Sequence, residues 1–224
     1  MIYLDAGTTY SKVISDLKPI DEKYLIKTHN GFNYYILPSK KLKELGLKFD
    51  KTCGHMSDCK VHENEIIALA NGCKNEINSD ATILDLGSRD AKWIGFKDKK
   101  FHDMDWNTSC ASSTGATVEM LLKFYDLSVE ELEFCSEKFA VTCGVFGLEK
   151  IMDDISNGIE AKIAVAKFIH GIAYNAWNFA KKPDTIYLSG GFCHNKCFVD
   201  SLQNYCEVVL FGRFKLCEGL MIDE

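Results

Sequence analysis

Two short stretches of the chain repeat the same reactive residue types at the same spacing. The stretch "IYLDAGTTYSKVI" places Asp5 at the end of an apolar run and Lys12 seven residues later, and "TILDLGSRDAKWI" repeats this with Asp85 and Lys92. In both, a glycine follows the aspartate by two residues and polar residues complete the turn. An acid, a flexible turn and a lysine in this order suit a phosphate group together with a divalent cation.

The first turn offers the groups that a nucleoside triphosphate needs. Gly7 permits close approach of the backbone, and the hydroxyls of Thr8 and Thr9 can bond phosphate oxygens. The two aspartates would hold Mg²⁺ through water, because Mg²⁺ keeps most of its hydration shell, and Lys12 would add positive charge. For either turn taken alone, an aspartate that caps an ordinary hairpin is the alternative.

A third stretch, "LSGGFCHN", follows an apolar run near the C-terminal end of the sequence. Gly190 and Gly191 would leave room for a flat adenine or ribose against bare backbone. Asn195 would either cap the next helix or bond the nucleotide, and the residues leave both roles open.

The elements that must position these turns alternate between strands and helices. The repeated strand-turn-strand device indicates an α/β protein with two lobes of similar build. Ser128 and Glu131 have the spacing of a capping box. The pattern predicts further strands at "KYLIKTH", "DTIYLSGG" and "CEVVLFGRFK", and helices at "SKKLKELGL", "ENEIIALANG", "TVEMLLKFYDL", "SVEELEFCSEK", "GVFGLEKIMDDI" and the long apolar "IEAKIAVAKFIHGIAYNAWNFAKK".

Composition narrows the class of protein. The chain has 224 residues, 46% of them hydrophobic, and a net charge of −6. That charge argues against general binding to nucleic acid or anionic membranes, which both need a basic face. With no signal peptide or membrane span in the pattern, we expect a cytoplasmic protein. Because the cytosol is reducing, we expect its ten cysteines to be buried small residues, metal ligands or redox groups rather than disulfides.

The repeated turns, "NTSCASSTGATVE", "VTCGVFGLEKI" and "LSGGFCHN" together resemble the BadF/BadG/BcrA/BcrD ATPases. These belong to the acetate/sugar kinase, Hsp70 and actin superfamily, and include activators of 2-hydroxyacyl-CoA dehydratases and ATPase subunits of benzoyl-CoA reductases. The resemblance implies a two-lobed, actin-like ATPase fold of the ribonuclease H-like type. An abbreviated first lobe would span residues 1–80 and a second lobe residues 81–224. Residues 17–80 match the family poorly.

The same resemblance implies a homodimer that shares one [4Fe–4S] cluster through Cys110 and Cys143 of each subunit. Cys110 would begin one predicted helix and Cys143 would stand directly before another, and the N-terminal amides of these helices would stabilise the anionic cluster. ATP and Mg²⁺ would drive one low-potential electron into a dehydratase-like or reductase partner, with a ferredoxin or flavodoxin upstream. Asp5, Lys12 and Asp85 would be catalytic. The implied nucleotide-binding residues are Gly7, Thr8, Thr9, Gly87, Ser88, Thr114, Gly115, Glu149, Gly190, Gly191 and Asn195.

Three departures from the family pattern leave other functions open. Ser88 and Arg89 replace the Gly and Gln of the usual Asp-x-Gly-Gly-Gln-Asp turn, and Arg89 would either bind phosphate or obstruct the site. "CASSTG" replaces Cys-Ala-Ala-Gly-Thr-Gly, and the sequence ends at Glu224, where relatives continue into a helix packed on the first lobe. The alternatives are a small-molecule kinase of the same superfamily and a degenerate, non-catalytic nucleotide- or cluster-binding protein.

A second group of potential metal ligands lies in "CGHMSDCKVHE". Cys53, His55, Cys59 and His62 are residue types that suit Zn²⁺, although their spacing fits no common zinc motif. Whether these four residues bind a metal stays open from the sequence.

Overall fold

The structure is a computed structural model that describes residues 1–56, 59–107, 114–141 and 144–222. The described chain divides into two compact units. The first unit contains residues 1–79, 99–101 and 213–222, and the second contains residues 80–98 and 102–212.

Strands and helices alternate along the described chain, as the sequence predicts for an α/β protein. The strands are β1 (Ile2–Ala6), β2 (Tyr10–Ser15), β3 (Leu25–His29), β4 (Phe32–Pro38), β5 (Lys51–Gly54), β6 (Val61–His62), β7 (Ala81–Leu86), β8 (Ala91–Lys97), β9 (Lys100–Asn107), β10 (Thr185–Gly190) and β11 (Glu207–Gly212). The helices are α1 (Leu42–Leu45), α2 (Glu65–Cys73), α3 (Gly115–Phe124), α4 (Gly144–Ser156), α5 (Ala161–Phe179), α6 (Lys196–Leu202) and α7 (Lys215–Leu220).

The first unit is built on a mixed sheet with the strand order β3-β4-β2-β1-β5-β6. Two antiparallel hairpins, β1–β2 and β3–β4, form one side, and β5 joins β1 in parallel. Leu4, Val13 and Tyr35 are buried in its apolar core. α7 packs on α2, where a Cβ atom at Gly72 or Gly219 would overlap backbone of the facing helix. This close approach is possible only because both positions lack a side chain.

The second unit is built on a sheet with the order β11-β10-β7-β8-β9. β7 pairs antiparallel with β8 and parallel with β10. Among the described helix residues, α5 contributes the greatest number of buried ones, including Ala164, Phe168 and Ala173. The buried, apolar character predicted for this helix is therefore confirmed. No helix in the described ranges combines the length and apolar character that a membrane span requires.

The duplicated device predicted from the sequence is present in both units. In the first unit Asp5 lies opposite Lys12 across β1 and β2, and in the second Asp85 lies opposite Lys92 across β7 and β8. Both hairpins are antiparallel, and both have the aspartate near the end of the first strand. Equal spacing in the sequence has therefore produced equal register in the two sheets.

Several local predictions need correction. "SVEELEFCSEK" is not an α-helix: only the short 3₁₀ helix Val129–Glu131 forms, although the capping box of Ser128 and Glu131 is present. The predicted elements do not include β4, β5, β6 or β9, nor α7, which follows the last predicted strand. The first unit thus contains a C-terminal helix that the sequence pattern did not indicate.

Candidate functional site

The first turn joins β1 to β2 through residues 7–9 in the first unit. Lys12 Nζ lies 2.9 Å from Asp5 Oδ2, and both side chains are largely buried. A charge-assisted contact in partly buried surroundings holds both groups in a defined geometry. The predicted pair of acid and lysine therefore exists at the end of β1.

Ser39 fixes the first turn from the residues that follow β4. Its Oγ donates to the Gly7 carbonyl oxygen at 2.6 Å, and its backbone N–H donates to the Thr9 carbonyl oxygen at 2.9 Å. A Cβ atom at Gly7 would overlap the Tyr10 carbonyl oxygen, so only glycine fits. Two carbonyl oxygens of the turn are occupied by protein donors, which lowers their repulsion of an anion. No local sequence pattern indicates Ser39, because its contact with Gly7 joins residues that are 32 positions apart.

The end of β5 lies beside the same turn. Gly54 has φ +86°, and a Cβ atom there would overlap the Ala6 carbonyl oxygen. The His55 backbone N–H donates to that oxygen at 3.0 Å, and His55 Nε2 lies 2.8 Å from Thr8 Oγ1. His55 therefore contacts the first turn rather than a group of metal ligands.

The other residues of the possible zinc group have separate partners. Cys59 Sγ and His62 Nδ1 lie 3.0 and 2.9 Å from Thr52 Oγ1. Burial, followed by the Asp5 carboxylate, raises the pKa of the Cys53 thiol well above its ordinary value. Across the residues that the structure describes, no group of three or more His, Cys, Asp or Glu side chains is arranged to hold a metal ion.

The second turn joins β7 to β8 in the second unit. Ser189 Oγ donates to Asp85 Oδ2 at 2.7 Å, because Ser189 and Asp85 are paired across the parallel strands β10 and β7. Lys92 Nζ lies 2.9 Å from Asp90 Oδ2, to which Trp106 Nε1 also donates at 2.7 Å. The structure thus adds Ser189, Asp90 and Trp106 to the residues that the sequence indicated.

The start of α3 is tied to this second turn. The backbone N–H groups of Gly115 and Ala116 donate to the carbonyl oxygens of Gly87 and Ser88 at 3.2 and 2.9 Å. Thr114 Oγ1 also donates to the Ser88 carbonyl oxygen, at 2.5 Å. These predicted nucleotide-binding residues therefore lie together. Arg89, in the same turn, is exposed.

The third turn follows β10 and completes this edge of the second unit. Gly190 has φ +90°, and a Cβ atom there would overlap the Leu86 carbonyl oxygen at the end of β7. Gly191 is exposed, with open space where its Cβ would be. Asn195 Oδ1 accepts from the Phe198 backbone N–H at 2.9 Å and so caps α6. Of the two roles left open for Asn195, capping is the one observed.

Three predicted residues, Glu149, Cys110 and Cys143, lie outside the three turns in the sequence. Glu149 lies on α4 with an exposed side chain. Cys110 and Cys143 lie outside the described residues. α4 begins at Gly144, directly after Cys143, as predicted. α3 begins at Gly115 with Thr114 as its N-cap, so the prediction that this helix begins at Cys110 is wrong.

The family model of the BadF/BadG/BcrA/BcrD ATPases matches residues 15–212, which is most of the chain. The chain belongs to this ATPase family. The match includes the second and third turns and both cysteine-containing stretches, so the resemblance seen in the motifs is confirmed.

Relatives of this chain bear names that refer to dehydratase activation. The chain is 27% identical over 155 residues to the activator of lactoyl-CoA dehydratase from Anaerotignum propionicum, an alignment that covers 63% of this chain and 58% of that relative. It is 20% identical over 220 residues to the (R)-2-hydroxyglutaryl-CoA dehydratase activating ATPase from Acidaminococcus fermentans, covering 86% and 82%.

A solved structure supports the fold of this chain. The activator of the 2-hydroxyisocaproyl-CoA dehydratase from Clostridium difficile, with bound ADPNP, aligns with a TM-score of 0.75. That alignment covers 98% of this chain and 92% of the other at 20% identity. The actin-like α/β fold expected from the sequence is confirmed.

Proposed function

We propose that this protein is an ATP-dependent iron–sulfur activator. It donates a low-potential electron to a 2-hydroxyacyl-CoA dehydratase-like or benzoyl-CoA reductase-like partner, and receives that electron from a ferredoxin or flavodoxin. The observation that carries the nucleotide part is the pair of matched hairpins, each with an aspartate opposite a lysine near a glycine turn. Family membership and the names of the relatives support the coupling to a dehydratase.

In the first unit, the residues present fit a magnesium nucleotide. Thr8 has an exposed side chain, and the Gly7 and Thr9 carbonyl oxygens are already bonded to Ser39. The Asp5 carboxylate can hold Mg²⁺ through its bound water, and Lys12, which contacts Asp5, supplies positive charge for the phosphates. Bound Mg²⁺ and ATP supply the reactive anhydride and the divalent charge; the chain positions them.

In the second unit, the carboxyl ends of β7 and β10 bring the predicted residues to one edge. Ser189 orients the Asp85 carboxylate, while Gly190 lets the third turn pass close to Leu86. Open space beside Gly191 suits a flat nucleoside group. We propose that Gly87, Ser88, Thr114 and Gly115 line the phosphate side and that Glu149 lies toward the nucleotide.

For the cluster, we propose Cys110 and Cys143 as ligands. Bound [4Fe–4S] supplies one-electron chemistry at low potential. The buried cysteines that the structure describes make poor thiolate ligands: Cys193 and Cys197 donate to backbone carbonyl oxygens at 3.1 and 3.3 Å. One chain then contributes two thiols, so a second copy must contribute the other two, and we propose a homodimer.

Anaerobic purification tests the cluster. The protein should be brown and dimeric, with about four irons per dimer as the cluster type requires. Cys110→Ser and Cys143→Ser should each abolish the visible absorbance, whereas Cys206→Ser, at a half-buried position, should keep it. Colourless protein after anaerobic reconstitution would contradict the cluster proposal.

Calorimetry tests the nucleotide site independently of iron. Wild-type protein should bind ATP in the presence of Mg²⁺, and Asp85→Asn should weaken binding by about tenfold or more, since a charge-assisted interaction is lost. ATP turnover that is unchanged in Cys110→Ser and Cys143→Ser would favour a kinase. Absence of ATP binding would favour a non-catalytic protein.

A further inference from the structure

The imidazole of His55 contacts the first turn from a distant part of the chain. Its Nε2 lies 2.8 Å from Thr8 Oγ1, although the two residues are 47 positions apart. Both side chains are exposed. The family pattern that identified Thr8 gave no role to His55, whose only expected function was as one of four possible metal ligands.

The backbone around His55 is built to bring it to this place. β5 runs parallel to β1 with Gly54 opposite Ala6, so both strands end at the same edge of the sheet. Gly54 has φ +86°, and a side chain there would overlap the Ala6 carbonyl oxygen. That oxygen accepts from the His55 backbone N–H at 3.0 Å. The His55 backbone is therefore hydrogen-bonded to the end of β1, next to the turn that contains Thr8.

A threonine hydroxyl has one proton to donate and two lone pairs that accept. When Nε2 of the imidazole carries a proton, it donates to Thr8 Oγ1, and the hydroxyl proton remains available for another acceptor. The Gly7 and Thr9 carbonyl oxygens are already bonded to Ser39 at 2.6 and 2.9 Å. A phosphate oxygen that enters the turn is then the natural acceptor for the hydroxyl proton.

We infer that His55 is a positioning residue for phosphate: its Nε2–H group donates to Thr8 Oγ1, which directs the Thr8 hydroxyl toward a phosphate oxygen of the bound nucleotide. This inference rests on the proposed nucleotide site and assigns to it a residue from β5. A hydrogen bond that polarises a hydroxyl strengthens the next bond in the chain. His55 therefore contributes to affinity for the phosphates and not to affinity for the nucleoside.

The test compares ligands that differ in phosphate number. Calorimetry on the full chain measures binding of ATP and ADP with Mg²⁺, and of adenosine, for wild type, His55→Leu, Thr8→Val and the double variant. His55→Leu should weaken ATP binding by about tenfold and leave adenosine binding unchanged. His55→Gln, which keeps an N–H donor, should restore most of the affinity. His29→Leu is the matched control, because His29 is an exposed histidine of β3 in the same unit.

The double variant distinguishes a relay, in which His55 acts on the phosphate through Thr8, from two contacts that contribute independently. In a relay, Thr8→Val already removes the benefit of His55, so the double variant should bind ATP about as weakly as Thr8→Val alone. Losses that multiply in the double variant would overturn the inference. So would wild-type ATP affinity in His55→Leu, or an equal loss for adenosine. If wild-type protein binds no nucleotide at all, the proposed function itself fails, which is a distinct result.

Discussion

Gly190 and Gly191 are neighbours in the sequence with different physical requirements. Gly190 has φ +90°, and its missing Cβ avoids the Leu86 carbonyl oxygen. Gly191 has no such constraint, because open space surrounds its Cβ position. The first glycine is thus needed for folding of the third turn, whereas the second is available for contact with a ligand.

Alanine substitutions at these two positions should therefore differ. Gly190→Ala should lower the free energy of unfolding by at least about 2 kcal/mol, from backbone strain and overlap. Gly191→Ala should change it by less than about 0.5 kcal/mol but weaken ATP binding. Urea unfolding followed by tryptophan fluorescence reports the second unit, where Trp93, Trp106 and Trp177 all lie. Equal stability of the two variants would contradict this assignment.

At the residue level, local spacing predicted some site contacts and missed others. The Asp5–Lys12 pair follows from a hairpin register that the sequence pattern indicates. Ser39, His55 and Ser189 reach the turns from other strands, so no local pattern could reveal them. The position of Ser189 follows only once the strand order is known, because parallel pairing of β10 with β7 places it opposite Asp85.

At the level of elements, α5 fixes the extended segment that precedes α4. His170 Nδ1 lies 2.8 Å from the Cys135 carbonyl oxygen, and the Phe139 N–H donates to the Lys167 carbonyl oxygen at 3.2 Å. Asn175 Nδ2 donates to the Val141 carbonyl oxygen at 2.5 Å. The segment is therefore hydrogen-bonded at several points along two turns of α5, including at Val141.

Asn175→Ala should release the end of this segment. Loss of the donor leaves the Val141 carbonyl oxygen without its side-chain partner, so unfolding free energy should fall by about 1–3 kcal/mol. Hydrogen exchange in residues 135–141 should become faster. Asn178→Ala on the same helix is the control: Asn178 is exposed, and alanine is the better helix former, so stability should stay equal or rise slightly. Unchanged exchange in Asn175→Ala would contradict this role.

Some elements were missed for identifiable reasons. Asn30 and Gly31 both have positive φ and join β3 to β4. An Asn-Gly pair is a strong hairpin signal, so β4 is predictable from these two residues. α7 is short, and its fit against α2 depends on Gly72 and Gly219, which are far apart in sequence. Neither glycine indicates a helix locally, so only the tertiary contact explains α7.

For the whole molecule, the large number of cysteines reflects packing for the most part. The eight cysteines that the structure describes are free thiols. Several donate to backbone carbonyl oxygens, such as Cys217 to Tyr3 at 3.4 Å. The expectation of buried small residues is confirmed for Cys53, Cys73, Cys193, Cys197 and Cys217.

This burial should make the protein less stable in alkali. Burial raises the pKa of Cys197 to about 12 and that of Cys206 to about 11, above the ordinary value of 9.0. A raised pKa in the folded state means that the unfolded chain loses its proton first. The stability that these thiols contribute is therefore complete below pH 9.0 and is lost as the pH rises toward their folded pKa values.

Urea unfolding between about pH 8 and pH 11, with a reductant present, measures this loss. The free energy of unfolding should decrease as the pH rises, and Cys197→Ala should be less stable than wild type at pH 8 but decrease less steeply, because one linked proton is absent. A wild-type free energy that does not change with pH over this window would show that the thiols are not buried as described. An equally steep decrease in Cys197→Ala would assign the pH dependence to other groups, such as Cys206.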